Sequence, residues 1–395
     1  MFDIPFLRPN LVKKEKLLSN LEKIEETRIY SNYGPLNKLF EERVISQMFD
    51  GTGSAVTVHN ATIGLMLAIS QSKRPKGKYA VMPSFTFAAT PLAAEWCGLI
   101  PYFLDIEPEN WQMNREQLEQ TIKLLGDEIA VVVPYATFGS PIDKSVYNRF
   151  LEQGIPVVID AAASFGTMTS EEEVAHFGKG FGGAVVYSFH ATKSFGIGEG
   201  GLVYSMDQEL IKRIRQAGNF GFSSSRESVI QGLNSKISEY TAAIALATLD
   251  HFKAVQENRK MIYQYYLQQL RQTGLLEEGW SMQKLQGTVV HQFISILSPA
   301  SHSNQEVVEL LASNSIEART YFSPACHQQM QFQSYPHSTL DVTEYIAKHI
   351  VSLPLWEELD EKIVQKIVNV LKSLGREKLD EENYNLGIGR TCQGD

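Results

Sequence analysis

The most chemically suggestive residue in this 395-residue sequence is a lysine just past an apolar, strand-like run. In Ser188-Phe189-His190-Ala191-Thr192-Lys193 the amine lies beside aromatics and is followed by glycines. Burial at such a place penalises the ammonium, lowers its pKa and leaves a neutral amine able to form a Schiff base with a carbonyl. Most loop lysines are simply solvated, so Lys193 needs company before it means anything. Val157-Val158-Ile159-Asp160 supplies some, because a carboxylate at the C-terminal end of a strand in an open α/β sheet points into the ligand crevice. Facing a ring nitrogen, Asp160 would keep it protonated and so maintain an electron sink. Locally, a helix N-cap explains Asp160 equally well.

Two further segments have the shape of a cofactor site. Val58-His59-Asn60-Ala61-Thr62 turns from a strand directly into a helix, so the amides of Ala61 and Thr62, the Thr62 hydroxyl and the positive helix end form a phosphate cradle. Many helices begin this way without a ligand. Pro83-Ser84-Phe85-Thr86-Phe87-Ala88-Ala89-Thr90 also follows a strand, and Phe87 offers a face for a flat heteroaromatic ring or, more ordinarily, for the core. The loop Gly196-Ile197-Gly198-Glu199-Gly200-Gly201 matches G-x-G-x-x-G, but a strand-like Leu202-Val203-Tyr204 follows it where a dinucleotide site needs a helix. Those glycines are read instead as the means of closing a tight loop.

The elements that must position these residues alternate. Apolar runs at Ala55 to Val58, Tyr79 to Met82, Ile100 to Leu104, Ile129 to Val133 and Pro156 to Ile159 are separated mostly by helical patterns, which predicts a mainly parallel sheet covered on both faces. Ala184 to Ser188 and Gly201 to Tyr204, joined by the glycine loop, predict an antiparallel excursion. Helical patterns at Leu11 to Ile24, on through Val44, and from Ser238 to Leu270 complete this part. A strand at Val290 to Leu297 and helices at Asn304 to Ser313 and Asp360 to Leu374 suggest a smaller α+β domain. The expected division is 1–250, 251–375 and a loose polar tail at 376–395.

Composition narrows the function classes. A formal net charge of −9, without clustered Lys and Arg, argues against a nucleic-acid surface. The opening Met1 to Phe6 lacks the order of a signal peptide, and no apolar run is long enough for a bilayer, so a cytoplasmic protein with no membrane partner is expected. Three dispersed cysteines, Cys97, Cys326 and Cys392, suit free thiols in a reducing compartment, and no metal site is expected.

Taken in order, the motifs resemble those of the DegT/StrS-type sugar aminotransferases, a branch of the fold-type I pyridoxal-phosphate enzymes. The resemblance covers nearly the whole chain. It runs from Tyr30-Ser31-Asn32-Tyr33-Gly34-Pro35-Leu36 through Asp105-Ile106-Glu107-Pro108-Glu109, the Ser188 to Gly201 region and Gly232-Leu233-Asn234-Ser235-Lys236, to Ile316-Glu317-Ala318-Arg319 and Ser352-Leu353-Pro354-Leu355. It implies an α/β fold of the aspartate aminotransferase type, with a mixed, mainly parallel seven-stranded sheet flanked by helices and a smaller C-terminal α+β domain. It implies pyridoxal 5'-phosphate bound covalently to Lys193, with Asp160 at the ring nitrogen and Phe87 on the ring face. Ala61, Thr62 and Ser188 would hold the phosphate, and Asn234 would reach it from the other subunit of a homodimer with shared active sites. Lys236, Arg319 and His327 become candidate substrate-binding residues, with ordinary surface or core roles equally open to each.

The implied reaction moves an amino group, from a donor such as glutamate, to a nucleotide-linked keto sugar. A dTDP- or GDP-linked 4-keto-6-deoxyhexose is preferred, from the Asn234-Ser235-Lys236 variant. Two departures bear on substrate detail: Ala163 stands where the family usually has Gln, His or Glu, and Tyr135-Ala136-Thr137 lacks a histidine common in that loop. The competing readings are a pyridoxal-phosphate-dependent sugar dehydratase, which carries histidine at the lysine position, and a regulatory member with a damaged cofactor set. The presence of Lys193, Asp160 and Ser188 argues against both.

Overall fold

The computed structural model describes residues 2–169 and 175–385. Among the described residues, seven strands build the larger part: β1 (Ser54–Val58), β2 (Tyr79–Pro83), β3 (Ile100–Leu104), β4 (Ile129–Val132), β5 (Val158–Asp160), β6 (Ala184–Ser188) and β7 (Gly201–Ser205). They form two ladders, β1-β7-β6-β5 and β3-β2-β4. Parallel bridges Val132↔Val157 and Tyr135↔Asp160 set β4 beside β5. The strands therefore run in the order β1-β7-β6-β5-β4-β2-β3. Only β7 opposes its neighbours, pairing antiparallel with both β6 and β1, which is the expected excursion.

Alternate residues of each strand enter opposite cores. Val81, Val185, Tyr187, Leu202 and Tyr204 face the helices Pro35–Phe49 and the first half of Glu239–Gln272. Ala80, Met82, Ala184, Val186 and Val203 face the helices Ala61–Ser72, Ala89–Trp96 and Gln208–Ala217. With both faces covered, these strands have no polar side to display, which is why they read as apolar runs.

The smaller part is an antiparallel sheet, β8 (Ser281–Met282), β9 (Ile294–Leu297) and β10 (Ile350–Leu353), in the order β10-β9-β8. The helices Asn304–Ser313 and Glu361–Asn385 and the second half of Glu239–Gln272 close its core through Val307, Leu311, Val364, Val368, Ile262 and Tyr266.

Three boundaries differ from expectation. The break at 250/251 falls inside the continuous helix Glu239–Gln272. The first residues belong by packing to the smaller part, since Ile4 pairs with Ile316 and is buried in that core. The backbone beyond Arg376 continues as helix to Asn385 rather than as a loose tail, in keeping with its Glu, Lys and Leu content; residues 386–395, with Cys392, lie outside the described residues. The N-terminal helical pattern resolves into a short 3-10 turn, Lys14–Lys16, and the helix Leu18–Thr27. Cys97 and Cys326 are free thiols. Among the described residues, no helix is long and apolar enough to cross a membrane.

Candidate active site

Lys193 is placed by aromatic packing on either side of it. Phe189 and Phe195 are both buried, and their rings meet at 4.8 Å. Phe195 also packs on Phe165 at 4.8 Å and on Phe252 at 5.0 Å. Each such pair adds about 0.5–1.5 kcal/mol beyond burial, so the loop between them is anchored at both ends. Backbone hydrogen bonds from Lys193 N to His190 O and from Ala191 N to Gly198 O tighten it, and Gly198 takes the positive φ of 100° that a side chain would resist. The glycines thus close a loop, as expected.

The Lys193 amine donates to Gln292 Oε1 at 3.0 Å, and its loop lines a cavity of ≈ 370 Å³. Burial lowers its pKa from 10.5 to about 8, partly countered by the negative charge of Asp160.

Asp160 ends β5 and is 2% exposed. Its Oδ2 accepts a 2.6 Å hydrogen bond from Thr90 Oγ1, and its Oδ1 accepts from Ala162 N at 3.1 Å. Because the Thr90 proton is committed to Asp160, Thr86 donates to Thr90 at 2.9 Å, making a buried chain of three side chains. Burial raises the Asp160 pKa, against the pull of Thr90, Ala162 and Lys193. A carboxylate so desolvated favours a cationic neighbour. Asp160 closes β5, and turn residues rather than a helix follow it directly.

Strand register assembles the rest. Ser188 pairs with Gly201, and Gly201 with Val58, so Ser188 lies across one strand from the turn that leads into Ala61 and Thr62. Asn60 caps the helix there by accepting from Ile63 N at 3.0 Å. A Cβ on Gly201 would stand 3.0 Å from Ala61 N, so the bare glycine leaves the helix end open. Asp160 pairs with Val186, two residues before Ser188, which puts carboxylate and cradle along the same sheet edge. Phe87, 58% exposed, is not a core residue; its ring tilts toward Phe322 at 6.1 Å beside a cavity of ≈ 730 Å³.

The remaining candidates lie elsewhere or are engaged. Asn234 pairs with Asn219, and Lys236 donates to Asn219 Oδ1 at 2.8 Å with its ammonium over Phe220. Arg319 donates to Glu317 and to Tyr321, and Tyr321 lines the cavity at Phe87. His327 bridges Ser84 at 2.7 Å and Glu344 at 3.2 Å, and burial holds its pKa below the usual value despite Glu344. It braces two elements rather than presenting a free imidazole. Ala163 is buried. Sequence reasoning missed Thr86, Thr90 and Gln292. Thr90 sat one helical turn past Phe87 in a segment already singled out, whereas Gln292 carried no local signal.

Desolvated lysine, buried carboxylate, open helix end and exposed aromatic face together fit pyridoxal phosphate by donor chemistry. Residues 12–372 match the DegT/DnrJ/EryC1/StrS aminotransferase family. A Bacillus cereus structure described as a PLP-dependent aminotransferase is 49% identical, with a TM-score of 0.91 over 93% of this chain and 99% of that one. DesI, solved in the presence of its TDP-sugar product, is 31% identical, with a TM-score of 0.85 over 97% and 96% of the two chains. An Escherichia coli dTDP-4-amino-4,6-dideoxy-D-glucose transaminase is 28% identical over 93% of this chain and 98% of its own length. The chain belongs to the DegT/DnrJ/EryC1/StrS aminotransferase family and is a pyridoxal-phosphate-dependent sugar aminotransferase.

Proposed function

We propose that this enzyme transfers an amino group from glutamate to a nucleotide-linked keto sugar, a dTDP- or GDP-linked 4-keto-6-deoxyhexose. The amino sugar produced would serve surface polysaccharide, such as lipopolysaccharide O-antigen, or natural-product glycosylation. The observation that carries the chemistry is the Lys193 amine, held by burial at a pKa of about 8 within the field of Asp160. The thymidine-diphosphate sugars named for two relatives support the substrate class.

Bound here, pyridoxal phosphate supplies an electron sink for negative charge at the carbon that bears the amine. Lys193 would carry the cofactor, and its amine would give and take the proton at the carbon that bears the amino group. An amine with a pKa near working pH is suited to giving and taking that proton. Asp160 holds the ring-nitrogen proton, with Thr90 keeping the carboxylate oriented. Ala61, Thr62 and Ser188 bind the phosphate, and Phe87 covers the ring face. Asn234 completes the phosphate site from a partner copy in a cytoplasmic homodimer, while Lys236 and Arg319 bound the sugar side and His327, held by Ser84 and Glu344, braces the wall beside it. Phe87 and Tyr321, the phenol that accepts from Arg319, border one cavity, which supports the substrate approaching there.

Borohydride reduction of the purified enzyme, followed by peptide mapping, should place the cofactor on Lys193. Mass spectrometry with glutamate and a panel of thymidine-, uridine- and guanosine-linked keto sugars should then find one sugar that gains an amine. Exchange between simple amino acid pairs with every sugar untouched would defeat the substrate assignment, and an adduct surviving in Lys193→Ala would defeat the lysine assignment.

A further inference from the structure

Gln292 lies 99 residues from Lys193 in sequence, on the segment entering β9 of the smaller domain, and is 8% exposed. Its Oε1 takes the Lys193 amine at 3.0 Å. Its Nε2 donates to Thr192 Oγ1 at 3.4 Å, and that hydroxyl in turn meets His190 Nδ1 at 2.9 Å, so the amide is oriented from both ends. The backbone is pinned too: Arg259 Nη1 donates to the carbonyls of His291 at 2.9 Å and Gln292 at 3.4 Å. Arg259 is buried and paired with Glu357 at 2.8 Å.

We infer that Gln292 is a positioning residue for Lys193, the resting partner of the free amine, set in place by the smaller domain through Arg259 and Glu357. The inference rests on reading Lys193 as the lysine that carries the cofactor. A neutral amine that donates one N–H to Gln292 Oε1 has its lone pair directed away from that contact, free for a proton or a carbonyl carbon. The residue type matters. An amide accepts from the amine without adding charge, whereas a carboxylate of the same shape would lock the ammonium in an ion pair. An aliphatic side chain would leave the amine without this acceptor.

The test uses the apoprotein, so its readout is independent of turnover. Labelling with limiting acetic anhydride across a pH series, quantified by peptide mass spectrometry against a surface lysine, yields the titration midpoint of Lys193. The parent should titrate near the value that burial imposes. Gln292→Glu should raise the midpoint by about one unit or more, as an opposite charge at this range does. Gln292→Leu should lower it by about one unit, the scale of one hydrogen bond to a charged group, and Arg259→Lys should shift it in the same direction as Leu. A midpoint unmoved in both Glu and Leu variants, each folded by circular dichroism, overturns the inference. If borohydride maps the cofactor to another lysine while the Lys193 midpoint still follows residue 292, the cofactor assignment falls and the Gln292 coupling stands.

Discussion

The Thr90 hydroxyl stands 2.6 Å from Asp160 Oδ2, with Thr86 behind it at 2.9 Å. Valine has nearly the same shape and no proton to give. Thr90→Val should leave the fold intact and weaken cofactor binding by about ten- to a hundredfold, since a hydrogen bond to a charged group contributes about 1.5–3 kcal/mol. Fluorescence titration of the apoprotein with pyridoxal phosphate measures this, and an unchanged Kd would mean that Asp160 is oriented without Thr90.

Lys193 should leave a signature in the pH dependence of stability. Its pKa falls from 10.5 in the unfolded chain to about 8 in the folded one. Between those values the unfolded chain holds a proton that the folded chain lacks, so this group makes the apoprotein more stable as pH rises from about 8 toward 10.5. Below that window the ammonium is buried at full cost. Lys193→Met should therefore be more stable than the parent chiefly below about pH 8, with the gap narrowing toward about pH 10. Urea midpoints for the two proteins across this range provide the comparison; a constant gap would indicate a lysine that titrates normally.

Gly201 separates Ser188 from the helix that begins at Ala61. Its added Cβ would meet Tyr187 O at 2.9 Å and Ala61 N at 3.0 Å, backbone atoms with little freedom to retreat. Gly201→Ala should cost about 1–3 kcal/mol in denaturant unfolding, the usual range for overpacking, and should weaken cofactor binding by disturbing the phosphate cradle. Parental affinity and stability together would mean that the helix end has room to give.

Legibility followed the range of the interactions. β6 was read with its observed bounds, because strands buried on both faces declare themselves as apolar runs. Asp160 and Ser188 were readable as strand ends, and register alone then brings them to one sheet edge. The two-residue strand β8 left too short a pattern to see. The pairing of Ile4 with Ile316 and the reach of Gln292 to Lys193 join distant parts of the chain, and nothing local marks either partner. His327 stood at a plausible position, but its value as a free imidazole depended on Ser84 and Glu344, which only the folded chain brings to it.

The helix Glu239–Gln272, about 51 Å long at 1.5 Å per residue, passes from one hydrophobic core into the other without a break. Phe252 packs beneath the Lys193 loop and Ile262 and Tyr266 fill the second core, with Arg259 between them. Melting either core would fray a wall of the other. One helix thus belongs to both cores, and a destabilising substitution in the smaller core is expected to reach the Lys193 loop through it.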